Sequence, residues 1–137
     1  MLNSISGSRR SILILVIIAW IALLFIESSQ PPAEIFDRID GLDKVAHFFA
    51  FGTLSLLASC ACLLLSTKPS LSIFSAPLLL VFVIGALEEG YQMYVPQRNA
   101  SLTDLLADVL GAVFAIILAN WLARRLSRTH HYPINKV

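Results

Sequence analysis

Residues 72–95 read SIFSAPLLLVFVIGALEEGYQMYV. A helix rises 1.5 Å per residue, so about 20 mainly apolar residues suffice to cross the roughly 30 Å hydrocarbon layer of a bilayer. This stretch meets that length and then breaks its own pattern with Glu88, Glu89 and Gln92. A carboxylate at membrane depth costs on the order of 2.5–3.5 kcal/mol even on the lenient insertion scale, so such residues face the inside of a bundle or a wet cavity. The stretch is therefore a span that packs its polar face against other spans. Three further stretches of spanning length lie at about 10–26, 45–65 and 102–122. With 57% of residues hydrophobic and 14% charged, the composition fits a bilayer solvent and not a soluble domain. The expected architecture is all-α: one integral membrane four-helix bundle over residues 1–137, with a basic tail at 123–137.

The boundaries carry their own signals. Pro31-Pro32 closes off helix after the first span, Lys68-Pro69-Ser70 breaks between spans two and three, and Pro96 stops span three. Asn99 or Ser101 caps span four, and Asp104 stands three residues after Ser101 in the capping-box spacing. Arg9-Arg10 followed by an apolar run resembles a signal peptide, but Glu27, Gln30 and Pro31 follow it without a small-x-small cleavage site, which reads as a retained first span. Cys60 and Cys62, two apart on a helix, point about 200° apart and are neither a disulfide nor a ligand pair.

Orientation follows from Lys and Arg near the span ends. Arg9, Arg10, Lys68, Arg124, Arg125, Arg128 and Lys136 fall on one side, against Arg38, Lys44 and Arg98 on the other. Both termini are thus expected in the cytoplasm, in a multi-pass protein of a bacterial inner membrane. Every carboxylate in the chain (Glu27, Glu34, Asp37, Asp40, Asp43, Glu88, Glu89, Asp104 and Asp108) then belongs to the outer half. The tail, with His130 and His131 among its basic residues, reads as a positive-inside anchor on anionic lipid. Nothing suggests nucleic acid.

Three stretches deliver ionisable residues to that outer end. Counted back from Pro96, Glu88 and Glu89 sit roughly 10–12 Å below the outer end of span three. Span four contributes Asp104, Asp108 and Gly111 as one stripe, span two contributes Asp43 and His47 as another with Lys44 beside it, and the last loop contributes Arg98. Asp43, His47, Glu88, Glu89 and Asp104 are the candidates for acid–base chemistry; Lys44, Gln92, Arg98, Ser101 and Asp108 are candidates for holding a ligand. For His47 the plain reading is a helix-end histidine bonded to a neighbouring span; the sharper one has Asp43 fix its tautomer while it moves protons. For the glutamates the plain reading is an ion pair with Arg98 or Lys44 that sets packing, and the sharper one is a coupled acid pair. One His with several carboxylates suits a divalent cation on inventory, but no His-Glu-x-x-His spacing is present and only His47 of the three histidines falls on this side, so neither metal nor cofactor is expected. No Gly-x-Ser-x-Gly elbow supports serine hydrolase chemistry.

Asp43-Lys44-x-x-His47-Phe48, then Glu88-Glu89-x-x-Gln92, then Arg98-x-x-Ser101-x-x-Asp104 and Gly111, in this order on successive spans, resembles the VanZ-like family over about Gly41 to Leu118. The family pattern has Asn where this chain has Asp108, which adds a carboxylate. The resemblance implies a small bacterial membrane protein of the cell envelope, and its founding member is associated with low-level resistance to the glycopeptide teicoplanin. Three functions follow as expectations. The site acts on or binds a membrane lipid or amphiphilic envelope ligand; or it is an acid–base hydrolase or transferase for a lipid-linked substrate; or the chain is a non-enzymatic assembly subunit whose polar cluster only sets helix packing or binds a partner membrane protein. Four short spans without an inverted repeat disfavour a self-contained transporter.

Overall fold

The computed structural model describes residues 2–65 and 72–129. The turn expected at Lys68-Pro69-Ser70, the tail histidines His130 and His131, and Lys136 lie outside the described residues. The chain forms α1 (Leu2–Ser28), α2 (Glu34–Arg38), α3 (Leu42–Leu65), α4 (Ser72–Gln92) and α5 (Leu102–Thr129), with no strand among the described residues. Four of these carry stretches long and apolar enough to cross a membrane, at 10–28, 42–64, 74–92 and 102–125. α1 and α4 end where α3 and α5 begin, and this shared end holds the polar cluster.

Burial is inverted relative to a water-soluble bundle. Large apolar side chains such as Leu15, Ile18, Leu79, Phe82, Leu106 and Ile117 are exposed around the outside, while Ser28, Ser55, Ser59, Glu88, Glu89, Gln92, Asp104 and Asp108 are buried. Only lipid rewards that arrangement, because the outer surface needs no polar coat and the polar groups must find one another inside. A small apolar core of Leu24, Phe51, Leu54, Val81 and Ala112 lies beneath the polar end.

The closest helix contact joins α3 to α5, which are not neighbours in sequence. A Cβ on Gly111 would collide with the Phe48 carbonyl, and one on Gly52 would stand 3.2 Å from the Gly111 carbonyl. Small residues that let backbones meet are the usual means of helix association in lipid. The contact is extended one turn deeper by Ser55 Oγ, which donates to the Ala112 carbonyl at 3.2 Å. α1 packs less tightly and is fastened to α3 by the Trp20 indole N–H on the Ala50 carbonyl at 3.0 Å.

The element ends differ in places from the sequence expectation. α4 stops at Gln92, one turn before the expected end, because Val95, Pro96, Gln97 and Arg98 form a turn closed by Arg98 N–H on the Val95 carbonyl at 3.1 Å. Pro96 presets the first central position of a type II turn, and Gln97 takes the positive φ (67°) that the second requires. Glu88 is therefore one turn from its helix end, about 6 Å, and not the 10–12 Å inferred from Pro96. Span one runs on to Ser28, span two starts at Leu42, and α5 continues past Leu122 so that Arg124 and Arg125 are helical. Gly41, at φ +79°, makes the reversal into α3. The short helix α2 was not foreseen.

Candidate functional site

The polar end of the bundle holds a half-open cavity of about 370 Å³. Asp43, His47, Glu88, Gln92, Arg98, Ser101 and Asp104 line it, together with apolar surface from Leu24, Phe36, Ala46, Ala50 and Phe51. Of the ten candidate residues, these seven share the cavity; Lys44, Glu89 and Asp108 do not line it but bond to residues around it.

Asp104, in the first turn of α5, meets Lys44 Nζ from α3 at 2.9 Å, and the same ammonium holds Asp43 at 2.8 Å. Lys44 is thus the cation that joins α3 to α5 at the rim. One turn deeper, Asp108 is fully buried and its Oδ1 lies 2.9 Å from His47 Nδ1. The expected pairing of Asp43 with His47 is not formed, although the two stand one turn apart. Lys44 engages Asp43 instead, through its side chain and through a backbone N–H at 2.9 Å, and the imidazole turns across the Gly111 contact to α5.

The two glutamates diverge, as adjacent helical residues must. Glu88 Oε1 accepts from Ser28 Oγ of α1 and from Gln92 Nε2 at 3.0 Å, while Glu88 Oε2 lies 4.0 Å from His47 Nδ1. Glu89 Oε2 accepts the Ser101 backbone N–H at 2.5 Å, which secures the loop just before α5. Ser101 Oγ in turn accepts the Asp104 N–H at 3.4 Å, the expected cap. Neither glutamate pairs with Arg98 or Lys44.

Arg98 also departs from expectation. Its guanidinium does not compensate a carboxylate but donates to the carbonyls of Gln30 at 2.9 Å and Glu27 at 3.0 Å. Those are carbonyls at and beyond the end of α1, where the helix leaves its acceptors unsatisfied and its dipole is negative. Arg98 therefore fastens α1 to the far loop and forms part of the cavity wall. Arg38 makes an exposed pair with Glu34 at 3.1 Å.

Four buried side-chain oxygens have no hydrogen-bond partner among the described residues: Ser59 Oγ, Glu88 Oε2, Glu89 Oε1 and Asp108 Oδ2. Three of the four belong to the cluster. The absent His-Glu-x-x-His spacing is no guide here, since the potential ligands come from α3 and α4 and not from one helix. One ring nitrogen of His47 and one oxygen each of Glu88 and Glu89 lie within 4.8 Å of one another. Ser28, buried against Glu88, is the residue that sequence reasoning missed. Its only signal was a hydroxyl two residues past the assumed end of span one.

The cluster combines Lys44 and His47 of α3, Glu88, Glu89 and Gln92 of α4, and Asp104 ahead of Gly111 on α5. A family model described as VanZ/LLP1 matches residues 12–123, nearly the whole described bundle. No curated protein and no solved structure matches the chain. With the fold, the order of the motifs and the family match in agreement, this chain is a membrane protein of the VanZ-like family.

Proposed function

We propose that the cavity at the polar end of the bundle binds an amphiphilic ligand of the cell envelope from the extracytoplasmic side. The observation that carries this reading is the mixed lining of one cavity: leucine, phenylalanine and alanine surface continuous with carboxylate, imidazole and amide groups. A few convergent polar groups in an otherwise apolar cleft are what a small amphiphile requires. A device that only sets helix packing would be closed and fully paired, whereas buried oxygens of Glu88, Glu89 and Asp108 here lack partners. Binding an envelope amphiphile is also how such a protein would alter susceptibility to teicoplanin.

A second reading is favoured by the His47–Asp108 contact. A carboxylate that fixes an imidazole beside a second acid is the arrangement for proton transfer, so acid–base hydrolysis or group transfer on a lipid-linked substrate would use His47 with Asp108 as its positioning residue.

Two measurements test the proposal. Reporters fused near Gly41 should score as exterior, and those fused at the C-terminus as cytoplasmic; the reverse result would turn the cavity inward. Mass spectrometry of lipids retained by the purified protein should show one envelope amphiphile enriched over the bulk membrane, and the cavity-filling variant Ala50→Leu should lose it. Retained lipid identical in profile to the bulk membrane would remove the ligand reading.

A further inference from the structure

We propose that His47, Glu88 and Glu89 form a binding site for a divalent transition-metal cation beside the cavity, which His47 and Glu88 line. The proposal does not depend on which amphiphile, if any, the cavity holds.

The first observation is geometric. One ring nitrogen of His47 and one oxygen from each glutamate lie within 4.8 Å of one another. Donors bound to one ion at about 2.1 Å stand roughly 3–4 Å apart, so a closure of about 1 Å by two flexible glutamate side chains completes the set. The second observation concerns the donors themselves. Glu88 is 3% exposed and Glu89 7%, yet Glu88 Oε2 and Glu89 Oε1 are without a hydrogen-bond partner. Glu88 Oε2 is aimed at the imidazole, 4.0 Å from Nδ1. Their other oxygens are already held, by Ser28 and Gln92 on Glu88 and by the Ser101 N–H on Glu89. Each glutamate is thus fixed by one oxygen and offers the other, as carboxylates do when they ligate.

Charge points the same way. Lys44 is committed to Asp43 and Asp104, and Arg98 to the carbonyls of Glu27 and Gln30. Among the described residues Glu88, Glu89 and Asp108 therefore share only His47, and buried carboxylates without a counter-charge are costly. A divalent cation removes two of those three negative charges.

Asp108 fits the same scheme without being a ligand. Its Oδ1, 2.9 Å from His47 Nδ1, is a carboxylate–histidine contact that fixes the orientation of the ring beside the two glutamates. One nitrogen with two carboxylate oxygens suits zinc or manganese. Three protein donors leave at least one coordination position to be filled from the cavity, which His47 and Glu88 also line.

The test uses the full chain in detergent, purified without a histidine tag and with His130 and His131 replaced by alanine so that the tail cannot bind metal. After chelation and dialysis against zinc or manganese chloride, elemental analysis should find one equivalent per chain of at least one of them, with a raised melting temperature. Glu88→Gln combined with Glu89→Gln should abolish binding, and Asp108→Asn should weaken it roughly 10- to 100-fold. Should the double variant not fold, cobalt loading of the unaltered cluster decides, since four- or five-coordinate cobalt absorbs far more strongly in the visible than the hydrated ion. Sub-stoichiometric binding of both ions, undiminished binding by the double variant, or a hydrated-ion spectrum would overturn the site.

Discussion

The Gly111→Val protein is expected to lose most of its folded, detergent-stable population. A Cβ at this position meets the Phe48 carbonyl, a backbone atom that no change of rotamer removes. Overpacking a core commonly costs 1–3 kcal/mol, and a clash with main chain belongs at the top of that range or above it, so about 3 kcal/mol or more is expected. The helices would have to part along the contact that also positions Ser55 against Ala112 and His47 against Asp108. Gly52→Ala is the graded comparison, since its Cβ stands 3.2 Å from the Gly111 carbonyl and a shift of a few tenths of an ångström relieves it. Thermal unfolding in detergent should rank wild type, Gly52→Ala and Gly111→Val in that order. Equal melting temperatures for wild type and Gly111→Val would mean that α3 and α5 do not meet here.

The second large effect is expected at Asp108. It is fully buried and is the hydrogen-bond acceptor for His47. Asp108→Leu takes that acceptor away and leaves a part-buried imidazole N–H without its partner, at about 1–3 kcal/mol. The added branched bulk is placed against Gly85, where Asp108 Oδ2 already lies within 2.7 Å of the position a Cβ would take. A total of about 3 kcal/mol is expected. Asp108→Asn keeps both shape and acceptor and should stay within about 1 kcal/mol of wild type. Similar losses for both variants would assign the stability to the charge, and no loss for either would make the His47 contact incidental.

The spans, their order and the end of the bundle that collects the acids were legible in the sequence, because hydropathy and charge position are one-dimensional properties. Partner choice was not. Asp43 and His47 are one helical turn apart, which made them look like a pair, but Lys44 lies closer to Asp43 along the chain and the imidazole's direction depends on how near α5 comes. That approach is set by Gly52 and Gly111 meeting across two helices, and no spacing within one helix reports it. Arg98 was assigned to the carboxylates by sign of charge alone. Its actual acceptors are backbone carbonyls at the end of α1, which every sequence has and none displays. Asp108, where the family pattern has Asn, keeps an acceptor on His47 and adds a charge to the buried cluster.

The cross-helix bonds also have a direction in time. Asp104 and Asp108 on α5 find Lys44 and His47 on α3, and Glu88 on α4 finds Ser28 on α1. In each of these pairs the acid is the later-made partner, and a chain is made from its N-terminus. When a costly carboxylate leaves the ribosome and enters the bilayer, the group that receives it is already in place. The four buried carboxylates, Glu88, Glu89, Asp104 and Asp108, all belong to the last two spans, so the earlier helices can insert first and then serve as the template on which the acidic ones dissolve.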